Sequence, residues 1–228
     1  MARQHPPCQA PRDSTMYFRL LHDETTGAVS YLLADLQAAE AVLVDPQAAD
    51  VPVLAAMLAE HRLQLRWVLR THEHDCARPG EAQALAALQA PCVQHRAPGA
   101  AEVLVFGHEH LQVLATPGHT AHCLSYRWRD RLFCGGLFAV DDCPFQARPA
   151  QPEALWRSAT QTVFALPCET LAFGGHARSG PVVRTVHELR HWHPWLGGTS
   201  RDEFLARVAQ ANPAKTSSAA HTSCEVHS

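Results

Sequence analysis

The sequence predicts a layered α/β domain, and three observations lead there. Short apolar runs of strand length recur between turn residues, helices with an apolar face are interspersed among them, and histidines gather where strand-like runs give way to loops. At 228 residues the chain has room for one substantial core, so a single domain is expected.

MYFRLL (16–21) and VSYLLAD (29–35) read as strands separated by the acidic, glycine-containing turn HDETTGA. EAVLVDP (40–46) is a short apolar run stopped by Asp-Pro, the pattern of a buried strand. VPVLAAMLAEHRL (51–63) sets apolar residues at 51, 54 and 58 on an alanine background and predicts an amphipathic helix. LRWVLRT (65–71) is strand-like again, and GEAQALAALQA (80–90) is helical. Strands are then expected at CVQH (92–95), EVLVF (102–106), HLQVLATP (110–117), CLSYRW (123–128) and RLFCG (131–135). PEALWRSATQTVFAL (152–166) reads as a helix with proline in its first turn. TLAFGGH (170–176) is the last expected strand, and it ends on histidine. VVRTVHELRHW (182–192) and SRDEFLARVAQA (200–211) are expected helices, the second opened by a serine cap with glutamate three residues on. Residues 1–14 read as a loose polar arm, 15–211 as the domain and 212–228 as a flexible tail too poor in apolar residues to order itself.

Composition narrows the partners. A net charge of −3, from 19 basic and 22 acidic side chains, gives no reason to expect nucleic acid or an anionic membrane. No apolar run is long enough to span a bilayer, and the N-terminus lacks the apolar core of a secretion signal. Eight cysteines form no Cys-x-x-Cys pair, and a chain of this length needs no disulfide scaffold, so free thiols in a reducing cytoplasm are expected. The 16 histidines stand out, because imidazole is the commonest metal ligand.

Four histidine-bearing segments follow strand-like runs: His72/His74 in THEHDCA, His119/His122 in TPGHTAHC, His176 in FGGHARSG, and His191/His193. Two rings one residue apart at a strand end point toward one place once the backbone curves, and an imidazole from another loop completes a three-ligand face for zinc or iron. The spacing alone is a weak signal and more often belongs to surface or hydrogen-bonded loop histidines.

Over about residues 16 to 211 the chain resembles the metallo-β-lactamase superfamily, in its glyoxalase II and persulfide dioxygenase branch. VLRTHEHDCA is similar to the signature THxHxDH, LQVLATPGHTAHCLSY to the TPGHT segment, and RLFCGGLFAVDDCPF to the segment usually reading FTGD. LAFGGHARSG resembles the stretch holding the last metal histidine. The resemblance implies an αββα four-layer sandwich with a metal site at one sheet edge. It also implies a first metal held by His72, His74, His119 and a bridging aspartate, whose position carries Gly136. Of the second metal's ligands only His176 is kept, since Cys76, Ala77 and Gly136 occupy the others. The single-iron pattern of the dioxygenases would map to His72, His119 and again Gly136.

The resemblance therefore implies one transition metal, zinc or iron, rather than two. Cys76, at the mouth of the site, is the expected substitute ligand beside the histidines, and Cys143 is a further thiol in a nearby loop. Cys123 and Cys134 fall in apolar strands and read as packed thiols. Asp75 and Asp142 are the nearest acids in sequence and the candidate general bases. The implied activity is persulfide oxidation or thiolester hydrolysis on a small thiol-derived molecule such as a glutathione conjugate. A catalytically silent homologue that binds a thiol compound or a partner protein, and a metal or thiol sensor, stay open as alternatives. Assembly into a homo-oligomer is left open as well.

Overall fold

A computed structural model describes residues 16–74, 81–94, 102–143, 145–146, 148–177 and 180–211. The expected arm and tail, and with them Asp75 and Cys76, lie outside the described residues. The first sheet contains β1 (Met16–His22), β2 (Val29–Asp35), β3 (Glu40–Val44), β4 (Gln64–Leu69) and β5 (Cys92–Val93), hydrogen-bonded in that order. Its first two pairings are antiparallel and the others parallel, with α1 (Val51–Glu60) and α2 (Glu81–Ala86) in the crossovers. The second sheet contains β6 (Glu102–Phe106), β7 (Glu109–Ala115), β8 (Leu124–Trp128), β9 (Arg131–Gly135), β10 (Leu171–Gly174) and β11 (Val183–Thr185). Its order is β11-β10-β9-β8-β7-β6, and only β9 and β10 run parallel. The remaining helices are α3 (Pro152–Arg157), α4 (Val186–Trp192) and α5 (Arg201–Gln210).

Strand periodicity explains the layers. Every residue of β2 is buried, because both faces of the strand are covered. Val29, Tyr31 and Leu33 pack with Phe133 and Phe173 of the second sheet, while Leu32 and Ala34 pack with Leu54 and Leu58 of α1. On the far side, Leu132, Cys134 and Ala172 meet Leu155, Val186, Leu189 and Phe204 of α3, α4 and α5. The result is the expected helix–sheet–sheet–helix sandwich. Among the described residues, no helix is long and apolar enough to cross a membrane.

Several elements depart from expectation; α2, for one, ends at Ala86 where the pattern runs to residue 90. α1 stops at Glu60 because Arg62 turns left-handed (φ 52°), and the Leu63 N–H bonds back to the Leu58 carbonyl at 2.8 Å, an arrangement that closes a helix end. The segment 182–192 begins as β11, paired with β10, before Thr185 and Glu188 form a reciprocal cap that starts α4. The helix expected over 152–166 widens into a π-helical stretch at Ser158–Val163, where the Ser158 hydroxyl reaches the Pro117 carbonyl at 2.7 Å.

Candidate metal centre

Strand ends from both sheets deliver histidines to one edge of the sandwich. His72 and His74 follow β4, whose continuation is held by Arg70 N–H to the Val93 carbonyl (2.8 Å) and Leu124 N–H to the Thr71 carbonyl (2.7 Å). His119 follows β7, and its carbonyl accepts the Ala150 N–H at 2.9 Å and the Gln146 amide. His176 follows β10 in a segment pinned by Gly175 N–H to the Gly135 carbonyl (2.8 Å) and Ala177 N–H to the Gly27 carbonyl (2.8 Å). One ligating nitrogen from each of the four rings lies within 4.8 Å of the others. His72 Nε2 is 3.0 Å from His176 Nε2, and His74 Nε2 is 3.2 Å from His119 Nε2.

Hydrogen bonding fixes which nitrogen of His72 faces the centre. The Asp45 carboxylate accepts the Thr71 N–H (2.7 Å) and the Thr71 hydroxyl (2.5 Å). With its proton committed to Asp45, the hydroxyl accepts from His72 Nδ1 at 2.8 Å, so the lone pair of His72 sits on Nε2, toward the centre. Asp45 reaches this position through a left-handed backbone (φ 48°), which aspartate tolerates better than most residues. Gly135 (φ 54°) is required twice over, since a Cβ there would lie 2.1 Å from Thr71 Oγ1 and 3.0 Å from His72 Nδ1.

Burial keeps His72 and His119 in the ligating, neutral form. It pushes His72 well below the usual histidine range, helped by the facing charges of His176, His119 and His74. It pushes His119 to about 3, with His74 as the second cause. Zinc bonded to nitrogen at 2.0–2.1 Å holds tetrahedral ligand atoms about 3.3 Å apart, close to the two nitrogen pairs here. The buried His119 Nδ1 has no hydrogen-bond partner among the described residues. The donor set fits a transition metal.

Relatives with known roles match most of the chain. Human mitochondrial persulfide dioxygenase ETHE1 is 30% identical over 209 residues, covering 85% of this chain and 81% of its own. The chain belongs to the metallo-β-lactamase superfamily, in the branch of persulfide dioxygenases and hydroxyacylglutathione hydrolases. Hydroxyacylglutathione hydrolase of Halorhodospira halophila is 30% identical over 197 residues, covering 81% of this chain and 72% of its own. The crystal structure of ETHE1 from Myxococcus xanthus superposes with a TM-score of 0.76 at 31% identity, covering 91% of this chain and 97% of that one. Solved metallo-β-lactamases at 19% and 22% identity share the fold. No protein-family model matches the chain. Both groups of relatives are enzymes.

Against the superfamily pattern, the site is rearranged. The resemblance assigns His176 to the second metal, and its Nε2 lies in one pocket with the nitrogens of the other three. At Gly136, where the pattern places its bridging carboxylate, the His119 ring fills the space, and a Cβ there would lie 2.2 Å from His119 Cδ2. Cys143, a lesser candidate in the sequence than Cys76, is fully buried with Sγ 3.1 Å from His74 Nε2 and 3.7 Å from His176 Nε2. Its loop context gave no sign of that burial. Cys123 and Cys134 are packed thiols: Cys123 Sγ accepts the Thr120 N–H, and burial pushes Cys134 up to about 12. Asp142 lines a small cavity of about 90 Å³ together with His176. His122 and His191 are exposed, and His193 is buried against the Phe138 carbonyl, 3.0 Å from Nε2. The Asp45–Thr71 relay was missed in the sequence, although Asp-Pro at a strand end and Thr before the first ligand were its visible traces.

Proposed function

We propose that the chain is a metal-dependent enzyme with a mononuclear site of zinc or iron, acting on a small thiol-derived substrate, a glutathione-type persulfide or thiolester. The convergence of His72, His74, His119 and His176 carries this reading. Three of those rings line a cavity of about 540 Å³, within the size range that encloses small ligands. Its wall pairs an apolar side (Leu85, Ala86, Phe145) with polar groups of Arg70, Gln47 and Gln94. A guanidinium in the wall favours the carboxylates that glutathione derivatives carry. A bound zinc or iron would supply a Lewis acid to polarise water or substrate sulfur taken up as a ligand additional to the protein's own.

His72 is oriented by Thr71 and Asp45, and His119 by the bonds to its carbonyl, so both are held before substrate arrives. Asp75 and Asp142 are the proposed proton acceptors, Asp142 because it borders the cavity that reaches His176. A cytoplasmic, reducing setting accompanies this reading, in keeping with five free cysteines among the described residues. Persulfide oxidation is favoured by the end-to-end match to ETHE1 proteins, thiolester hydrolysis by the hydroxyacylglutathione hydrolases and by a nitrogen-rich donor set suited to zinc. Parallel assays of iron- and zinc-loaded protein against a glutathione persulfide and a glutathione thiolester test it. Turnover of either, abolished by His72→Ala, is expected. Stoichiometric metal with turnover of neither would leave the catalytically silent binder.

A further inference from the structure

We propose that Cys143 is a ligand of the same metal, its thiolate supplying the negative charge that a carboxylate at position 136 would otherwise bring. This rests on the four-histidine reading above. Cys143 Sγ touches ligating nitrogens from both sheets, 3.1 Å from His74 Nε2 and 3.7 Å from His176 Nε2. With zinc–nitrogen bonds of 2.0–2.1 Å and zinc–sulfur of about 2.3 Å, ligands 90–120° apart on a five-coordinate ion sit about 3.1–3.8 Å from each other. The observed separations span that range, which places the thiol beside His74 and His176 in one shell.

Two further observations point the same way. The carboxylate position is closed, because the His119 ring lies over Gly136. The loop after β9 is built to bring sulfur back: Leu137 N–H bonds the Cys134 carbonyl (3.1 Å) and Ala139 N–H the Gly136 carbonyl (3.0 Å), folding the chain on itself. Leu137 and Val140 then anchor that loop in the outer core, and Cys143 is fully buried at its end. The other described thiols are occupied or remote. Cys134 Sγ donates to the Phe173 carbonyl at 3.2 Å, Cys123 Sγ is held by Thr120, and Cys92 and Cys168 are exposed.

Four neutral imidazoles leave a dication uncompensated, whereas one thiolate halves that charge and adds a soft donor favouring zinc over magnesium or calcium. On binding, the thiol proton leaves to solvent and the sulfur lone pair forms the bond to the metal, with nothing oxidised or reduced.

Zinc-edge X-ray absorption of the full chain loaded with one equivalent of zinc tests this directly. Sulfur scattering at about 2.3 Å is expected beside the nitrogen shell. It should vanish in Cys143→Ser and persist in Cys76→Ser. The cobalt-substituted protein should likewise show a sulfur-to-metal charge-transfer band that Cys143→Ser removes. If Cys143→Ser fails to fold, the wild-type and Cys76→Ser spectra together still decide, since sulfur must be present in both. Bound zinc with nitrogen and oxygen scattering alone would overturn the role of Cys143 and leave the histidine site standing. Sulfur lost only in Cys76→Ser would overturn it in favour of the other thiol. Failure of the wild-type chain to bind zinc would overturn the underlying metal reading, and this inference with it.

Discussion

Replacing Gly136 by alanine should damage the site without adding any charge or ligand. A Cβ there would lie 2.2 Å from His119 Cδ2 and 2.6 Å from Cγ and Nε2, where carbon contacts normally begin at about 3.5 Å. The backbone at Gly136 is outside the left-handed region, so the effect is purely steric. His119 cannot retreat easily, because its carbonyl is held by Ala150 and Gln146, and its ring must swing toward His74. Overpacking of this kind costs about 1–3 kcal/mol. For a chain of this size that is a fall in Tm of about 2–12 °C. Displaced ligand orientation should also weaken zinc binding about 10–100-fold. Thermal unfolding and competition against a chelator measure the two effects. Gly136→Asp adds a carboxylate to the same collision and should be no more stable than the alanine variant. Unchanged Tm and affinity in Gly136→Ala would refute the steric reasoning. A gain of affinity in Gly136→Asp would show that His119 steps aside and that position 136 is simply a vacated ligand position.

Because all four rings share one pocket, His176→Ala should lose metal as severely as His72→Ala or His119→Ala; retention of most binding in the first alone, by titration, would restore a separate second site. Thr71→Val deprives His72 Nδ1 of its acceptor and should weaken zinc about 10–100-fold, an effect absent if the relay is incidental. Burial holds His193 at about 4 against 6.5 in the unfolded chain. Above pH 6.5 both states are neutral and its contribution is whole; as pH falls the unfolded chain takes the proton first, and about 3 kcal/mol is lost by pH 4. Urea unfolding between pH 7.5 and 4.5 should therefore show a shallower pH slope in His193→Asn than in wild type, and identical slopes would contradict it.

Much of the fold was legible because β2 and β3 carry largely apolar runs that suit strands covered on both faces, while β4 alternates polar and apolar residues until Val68 and Leu69. The start of α4 was legible too, in Thr185 and Glu188, but the apolar Val182-Val183 before it continued the helical pattern and hid β11. The π-helical stretch left no trace in periodicity, since it is set by a long-range bond from Ser158 to Pro117. At the site, His72 and His74 announced themselves through spacing. His176 lies 104 positions from His72, and the meeting of the two sheets brings them together, with Ala28 bridged to His176 and Gly175 held on Gly135. Cys143 followed the same rule: its loop reads as polar, and its burial comes from Leu137 and Val140 seating in the outer core.

One metal per chain is the central expectation, and elemental analysis of protein purified without added metal or a histidine tag tests it most directly. About one equivalent of zinc or iron is expected, falling to background when His72 and His176 are both replaced by alanine. Two equivalents at full occupancy, or metal that survives that double substitution, would contradict a single centre built on the four histidines.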